Sequence, residues 1–195
     1  MSPTPIREEE ILQKIDFANR RMADLVSLNG GDFPGAPAFD KHLLAQEFFF
    51  HLIGAVELTA QFVNEVSALG LDPDAASTRA VLGKLNLSHP VRGRLAALYA
   101  NPRKSPMPPD PYCPEGLIYR AYNYRHQVTH RRANPFLYRV GSTPKASFIL
   151  DPRASPQVPS ERSVQDEMAQ MLELVREGCQ EVVELALQAS GGGPV

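Results

Sequence analysis

The fold of this chain is decided by the stretch from Asp40 to Leu69, DKHLLAQEFFFHLIGAVELTAQFVNEVSAL. Its apolar residues recur at helical spacing, Asp40 is placed to cap the start of the helix, and Gly70 and Pro73 end it. The apolar band covers more than one face of this helix. A helix with so wide a band either lies at the centre of a bundle or also packs on a second subunit.

Further helices on both sides of this stretch predict an antiparallel helical bundle. The same periodicity, with prolines and capping residues at the boundaries, places them over residues 6–28, 77–85, 90–100, 115–132 and 160–189. For the last helix, Ser163 and Asp166 form a further possible N-terminal pair. Residues 136–140 and 146–150 are rich in β-forming side chains and predict a small β-hairpin insertion before the last helix. We therefore expect an all-α fold, with a single helical-bundle domain over residues 6–189 and flexible tails at 1–5 and 190–195.

Prolines are crowded between the fourth and fifth predicted helices. The chain has 18 prolines, and six of them lie between Asn101 and Pro114. Neither a helix nor a central strand tolerates that density. The segment is therefore an extended connection, and whether it acts as a lid over a cleft or as packing stays open.

The composition is that of a globular protein, and we expect it to be cytoplasmic with no membrane partner. Of its 195 residues 43% are apolar and 22% charged, and the net charge is −2. No segment has the pattern of a signal peptide, and polar residues interrupt the densest apolar run. Cys113 and Cys179 lie far apart without a pairing motif, so neither a disulfide nor a cysteine-based zinc site is expected.

The most distinctive charge pattern lies in the fifth predicted helix, in the stretch from Tyr122 to Arg132, YNYRHQVTHRR. From Gly116 to Leu150 the chain contains six arginines and lysines and neither Asp nor Glu. Such a patch concentrates anions, and phosphate esters are the usual ones. A solvated basic helix end, favoured by the C-terminal dipole, explains the same pattern without any function.

One spacing within this stretch suits a metal. His126 and His130 lie four positions apart, so both face one side of a continuous helix and could share a divalent ion such as Zn or Ni with His51. This trio resembles the DinB/YfiT-like metal-binding bundles, and the resemblance is confined to these residues and the bundle plan. Arg131 and Arg132 argue against it, because they repel a divalent cation.

A second spacing suits RNA chemistry. Arg125 is followed directly by the polar His126 and, after three more residues, by His130. This pattern resembles the HEPN superfamily of α-helical bundles, whose motif is an arginine, a polar residue and a histidine on a late helix. The resemblance implies a homodimer that joins two motifs in one basic cleft and, in active members, a metal-independent endoribonuclease without a cofactor. Other members are non-catalytic dimeric interaction modules or nucleotide-binding modules, and this alternative stays open.

The resemblance also implies catalytic roles for these three residues. His130 would act as general acid or base when the ribose 2′-hydroxyl attacks the adjacent phosphate. Arg125 would hold that phosphate by a bidentate contact, and His126 would orient or assist. Glu57 of the second helix is expected to contact the same site, and an unknown protein partner is also open. The residues expected to bind the RNA or nucleotide substrate are Arg120, Tyr122, Arg131 and Arg132.

Overall fold

The chain folds into a bundle of helices, and the computed structural model describes residues 6–30, 38–131, 136–139, 145–151 and 156–191. The all-α prediction is confirmed. The elements in chain order are α1 (Glu8–Gly30), α2 (Ala38–Val66), α3 (Thr78–Lys84), α4 (Pro90–Ala97), α5 (Pro114–Arg131), β1 (Phe136–Arg139), β2 (Lys145–Phe148) and α6 (Val164–Gly191), with a short 3-10 helix at Pro73–Ala75.

Helix α2 is the central element and packs against α1, α3, α5 and α6. Most of the wide apolar band of α2 is buried within this one chain. Phe50 is an exception at 48% exposure, and the ammonium of Lys14 lies 5.2 Å from its ring centre. By length and composition α2 could also cross a bilayer, but half of its apolar window is buried inside the bundle, as in a core helix. The fully buried side chains that α2 contributes to the core include Phe48, Phe49, Leu52, Ile53 and Val56.

The end of α2 comes three residues earlier than the sequence predicts. The helix stops at Val66, and both Ala68 and Gly70 then adopt positive φ angles, 48° and 71°. The side chain of Asn64 closes this turn, because its Nδ2 donates to the carbonyl oxygen of Leu71 at 3.0 Å and its Oδ1 accepts from the N–H of Leu71 at 3.1 Å. The backbone N–H groups of Ala68 and Leu69 donate to the carbonyl oxygens of Glu65 and Asn64 at 3.1 and 3.0 Å. Backbone bonds around the left-handed Ala68 therefore end the helix, and the side chain of Asn64 holds the turn that follows.

The starts of α2 and α6 also differ from the prediction. Helix α2 begins two residues before Asp40, which lies in the first turn and does not cap the helix. Helix α6 begins directly after Ser163, whose Oγ accepts from the backbone N–H of Asp166 at 3.0 Å. Ser160, the predicted start of this helix, instead donates to the carboxylate of Glu167. The capping side chain, and not the apolar periodicity, decides where α6 begins.

The two short strands pair antiparallel, with Phe136 opposite Phe148 and Arg139 opposite Lys145. The connecting residues 140–144 lie outside the described residues, as does the predicted tail at 1–5, whereas α6 continues into the predicted C-terminal tail as far as Gly191. Phe148 is buried, and its ring centre lies 4.9 Å from that of Tyr124 on α5. The strand pair is thereby attached to the inward face of the helix that carries the basic stretch.

Candidate functional site

A cavity of about 650 Å³ opens between α5, the segment that follows α4, and α3. We call it the basic cavity, because its lining includes Arg79, Arg103, Lys104, Arg125 and His126. No aspartate or glutamate is among the described residues that line it. The neutral part of the lining includes Tyr99, Asn101, Tyr122, Asn123 and Gln127.

Helix α5 supplies five of these residues from one and a half turns. Tyr122, Asn123 and Gln127 are buried, whereas Arg125 and His126 are partly exposed. The same helix packs against α2 and α6. The predicted basic stretch therefore contributes buried residues to the core and also lines the cavity.

The proline-rich loop between α4 and α5 supplies Arg103 and Lys104. The carbonyl oxygen of Asn101 accepts from the backbone N–H groups of Lys104 at 2.9 Å and Ser105 at 3.0 Å, which closes a tight turn. Nη2 of Arg103 lies 3.1 Å from Nε2 and 3.3 Å from Nδ1 of His126. Because a guanidinium only donates, a ring nitrogen can accept this bond only in its unprotonated form. The loop thus reaches one of the predicted catalytic residues directly.

The other end of the loop is attached to α5 and to the segment that precedes α6. The backbone N–H of Tyr112 donates to the carboxylate of Asp110 at 2.8 Å. The hydroxyl of Tyr112 accepts from the N–H of Glu161 at 3.0 Å and lies 3.2 Å from Oγ of Ser160. The loop also passes so close to α5 that a Cβ atom on Gly116 would lie 2.4 Å from the carbonyl oxygen of Asp110. This close approach, which only glycine permits, holds the loop against the helix that it serves.

Arg79 reaches the cavity from the first turn of α3. The carboxylate of Glu57 on α2 accepts from the backbone N–H of Thr78 at 2.8 Å, and Oγ of Ser77 accepts from the N–H of Ala80 at 3.3 Å. These two caps satisfy amides that the start of a helix leaves without partners. Glu57, which we expected to contact the site, is therefore engaged with the start of the helix that carries Arg79.

Among the described residues, no carboxylate pairs with the arginines and the lysine of the cavity. None of Arg79, Arg103, Lys104 and Arg125 forms a salt bridge in this part of the chain, whereas partly exposed arginines elsewhere, such as Arg176, do. Like charges that converge on one cavity repel one another until an anion compensates them. The arrangement therefore favours an anionic ligand, and guanidinium groups suit phosphate best because they bind it in a bidentate manner.

Two of the residues that line the cavity, Asn123 and Gln127, carry buried side-chain amides. Nδ2 of Asn123 donates to Oδ1 of Asp151 at 3.1 Å, but its Oδ1 has no partner among the described residues, and neither has Nε2 of Gln127. Leaving a buried polar atom unpaired costs about 1–3 kcal/mol. Burial raises the pKa of Tyr122 well above its usual range, so its hydroxyl stays protonated at neutral pH. Asn123 and Gln127 thus offer hydrogen bonds to a neutral polar group, whereas the arginines and Lys104 of the cavity attract an anion.

The basic cavity brings together three of the residues predicted from the sequence: Arg125, His126 and Tyr122. Helix α5 continues beyond them as far as Arg131. Three further predicted residues have side chains outside the described part of the chain, and their roles stay predictions: His130, Arg131 and Arg132.

Arg120, expected to bind substrate, lies elsewhere. It is fully buried, its Nη2 donates to the Tyr124 hydroxyl at 3.1 Å, and it forms an ion pair with Glu167 of α6, which is also fully buried. The pair joins α5 to α6 inside the core. No substrate can reach Arg120 without unfolding this contact, so the expectation is corrected.

Sequence reasoning missed nine of the twelve described residues that line the cavity. Arg103 and Lys104 are the basic residues of the proline-rich loop, but nothing in the sequence pattern places that loop beside α5. Asn123 and Gln127 lie inside the quoted basic stretch, four positions apart, and this helical spacing was a usable signal that both line one face. Arg79 carries no comparable signal.

The three-histidine hypothesis for a metal stays a prediction, because the side chain of His130 lies outside the described residues. Within the described residues there is no group of three His, Cys, Asp or Glu that could hold a metal ion. The ring of His51 lies 5.2 Å from that of Phe17 and 5.4 Å from that of Phe50, centre to centre. Burial, and to a smaller extent the ammonium of Lys14, lowers the pKa of His51.

No family model matches this chain, and no curated protein or solved structure matches it either. Function is therefore best argued from the chemistry of the basic cavity itself.

Proposed function

We propose that this protein binds single-stranded RNA in the basic cavity and cleaves it without a metal. The observation that carries the proposal is the convergence of Arg79, Arg103, Lys104 and Arg125 on one cavity that has no carboxylate among its described lining residues. RNA is a polyanion whose unpaired nucleotides can enter a cavity, which a duplex cannot. The cavity volume of about 650 Å³ lies within the range of ordinary ligand sites, about 300–1,000 Å³.

Cleavage follows from the resemblance to the HEPN motif. A base removes the proton of the ribose 2′-hydroxyl, the 2′-oxygen forms a bond to the adjacent phosphorus, and the bond from phosphorus to the 5′-oxygen breaks as that oxygen takes up a proton. The products are a 2′,3′-cyclic phosphate and a 5′-hydroxyl. His126 and His130 are the candidates for the two proton transfers. Arg125 stabilises the negative charge on the phosphate oxygens.

The test measures binding and cleavage of one labelled single-stranded RNA in excess chelator. Arg125→Ala is expected to weaken binding about tenfold or more, because a charge-assisted hydrogen bond to phosphate is lost. His126→Ala is expected to bind RNA but to cleave it about 10²- to 10⁴-fold more slowly. Arg176→Ala is the matched control, because Arg176 lies on α6, pairs with Glu173 and does not line the cavity.

Each outcome bears on a separate part of the proposal. If the wild-type protein does not bind RNA, or if Arg125→Ala and Arg176→Ala bind as it does, the proposal is wrong. If RNA is bound through Arg125 but stays intact, the protein is a binding module and the cleavage step is wrong. Cleavage that persists in Arg125→Ala would point to a contaminating nuclease.

The HEPN resemblance also implies a homodimer in which two basic cavities share one cleft, and we include this dimer in the proposal. Sedimentation velocity of the purified protein tests it, since a monomer at all concentrations would contradict it.

A further inference from the structure

We propose that Asn123, together with Gln127, is the residue pair that recognises the ribose 2′-hydroxyl of the bound nucleotide, so that the basic cavity prefers RNA to DNA. This inference rests on the proposed function and names the group by which the substrate is recognised. It starts from two buried amides, each of which leaves one polar atom without a partner among the described residues.

The orientation of the Asn123 amide is determined by Asp151. Nδ2 of Asn123 donates to Oδ1 of Asp151 at 3.1 Å. Because an ionised carboxylate only accepts hydrogen bonds, the amide cannot turn its oxygen towards Asp151. Oδ1 of Asn123 is therefore held as an acceptor, and it has no partner among the described residues although the residue is only 1% exposed. A ligand that satisfies it has to bring a hydrogen-bond donor.

Gln127 offers the complementary group. It lies one helical turn after Asn123 on the same face of α5, is 4% exposed, and its Nε2 also has no partner in the described part of the chain. The two amides, which both belong to residues that line the basic cavity, thus leave one buried acceptor and one buried donor. A single hydroxyl group can satisfy both, because it donates one hydrogen bond and accepts others.

The ribose 2′-hydroxyl is the hydroxyl that a nucleotide places beside its phosphate. It is bonded to the carbon next to the one that carries the 3′-phosphate, so a phosphate held by the cationic side chains brings this hydroxyl with it. The hydroxyl that the amides hold belongs to a nucleotide next to the cleaved one, because the attacking 2′-hydroxyl gives its single proton to the base. It is also the group by which a protein distinguishes RNA from DNA at a given site. A DNA strand or an inorganic anion would bind only to the cationic side chains of the cavity and leave both amides unpaired. A trapped water molecule could pair with both amides as well, and the experiment separates this outcome.

The experiment compares the affinities of one protein preparation for three labelled strands: oligouridine, oligodeoxyuridine and 2′-fluoro oligouridine. The fluoro strand keeps the base and the phosphates but cannot donate a hydrogen bond from the 2′ position. The ratio of two affinities does not depend on the fraction of folded protein. All proteins in this comparison, the wild type included, are also measured with His126→Ala added, because this substitution is expected to slow cleavage, and a gel checks that the RNA stays intact. The wild type is expected to bind oligouridine about five- to tenfold more tightly than either analogue, as the loss of one or two neutral hydrogen bonds predicts.

Three variants locate the source of this preference. In Asn123→Ala the ratio should fall to about one. In Asp151→Ala, where the amide is free to turn, the ratio should fall while RNA is still bound. Arg103→Gln should weaken binding of all three strands and leave their ratio unchanged, since it affects the phosphate contacts alone. If Asn123→Ala does not fold, the affinity ratio of Asp151→Ala tests the inference in its place.

The inference is overturned if the wild type binds the three strands equally while Arg103→Gln weakens binding of all of them, in which case RNA binding stands and the amides hold only water. It is also overturned if the preference survives in Asn123→Ala and Asp151→Ala. If the wild type binds none of the strands, both the inference and the proposed function are wrong.

Discussion

The salt dependence of RNA binding should report how many cations of the basic cavity contact phosphate. Each phosphate neutralised on a single strand releases counterions and contributes about −0.7 to the slope of log K against log salt. If Arg79, Arg103, Lys104 and Arg125 each contact one phosphate, the slope is about −2.8, and affinity falls about 50-fold between ~50 and ~200 mM salt. Arg103→Gln removes one contact, so we expect a slope of about −2.1 and a fall of about 18-fold.

The assay is fluorescence anisotropy of a labelled RNA in excess chelator, at one pH and at several NaCl concentrations, with His126→Ala added to every protein so that cleavage is slow and the RNA stays intact. Arg176→Gln changes the net charge by the same amount, but its guanidinium pairs with Glu173 on α6 and should leave the slope unchanged. A wild-type slope near zero would refute the reasoning, because binding would then not involve phosphate. An equal change of slope in both variants would refute it too, because net charge alone would then be responsible.

Three further predictions concern the structure that supports the cavity. Glu167→Ala leaves a buried guanidinium without its partner and should lower the free energy of unfolding by about 3–5 kcal/mol in urea titrations, whereas Glu173→Ala, in an exposed pair, should change it by about 1 kcal/mol or less. Gly116→Ala brings a Cβ atom to within 2.4 Å of a carbonyl oxygen and should cost about 1–3 kcal/mol, whereas Gly93→Ala, which meets nothing within 4 Å in a helix, should be neutral or stabilising. Burial lowers the pKa of His51 in the folded state, so the unfolded state binds more protons as the pH decreases through ~6.5. The free energy of unfolding should therefore fall as the pH decreases through that value, and it should fall less in His51→Leu. An equal fall in both proteins would contradict this.

The helices were predictable from the sequence, and so were both ends of α3, which Ser77 and Leu85 cap, but the end of α2 and the choice of start for α6 were not. Apolar periodicity places α2 and α6 correctly, because a helix of that length has to bury one face. The end of α2 depends on the positive φ angle of Ala68 and on the side chain of Asn64, which bonds the backbone of Leu71. The start of α6 depends on Ser163 as the cap, whereas Ser160 is used by Glu167. Such bonds compete with helix continuation, and a hydrophobic pattern carries no information about which of them forms.

The sequence by itself determined that Tyr122, Arg125 and His126 lie on one helix, because spacing along a helix is a local property. Only the tertiary structure decided which basic residues face a ligand. Arg120 looks equivalent to Arg125 in the sequence, but Glu167, 47 positions away, pairs with it in the core. Whether an arginine is buried or available depends on the partners that distant segments bring, since a buried charge is tolerated only when it is paired.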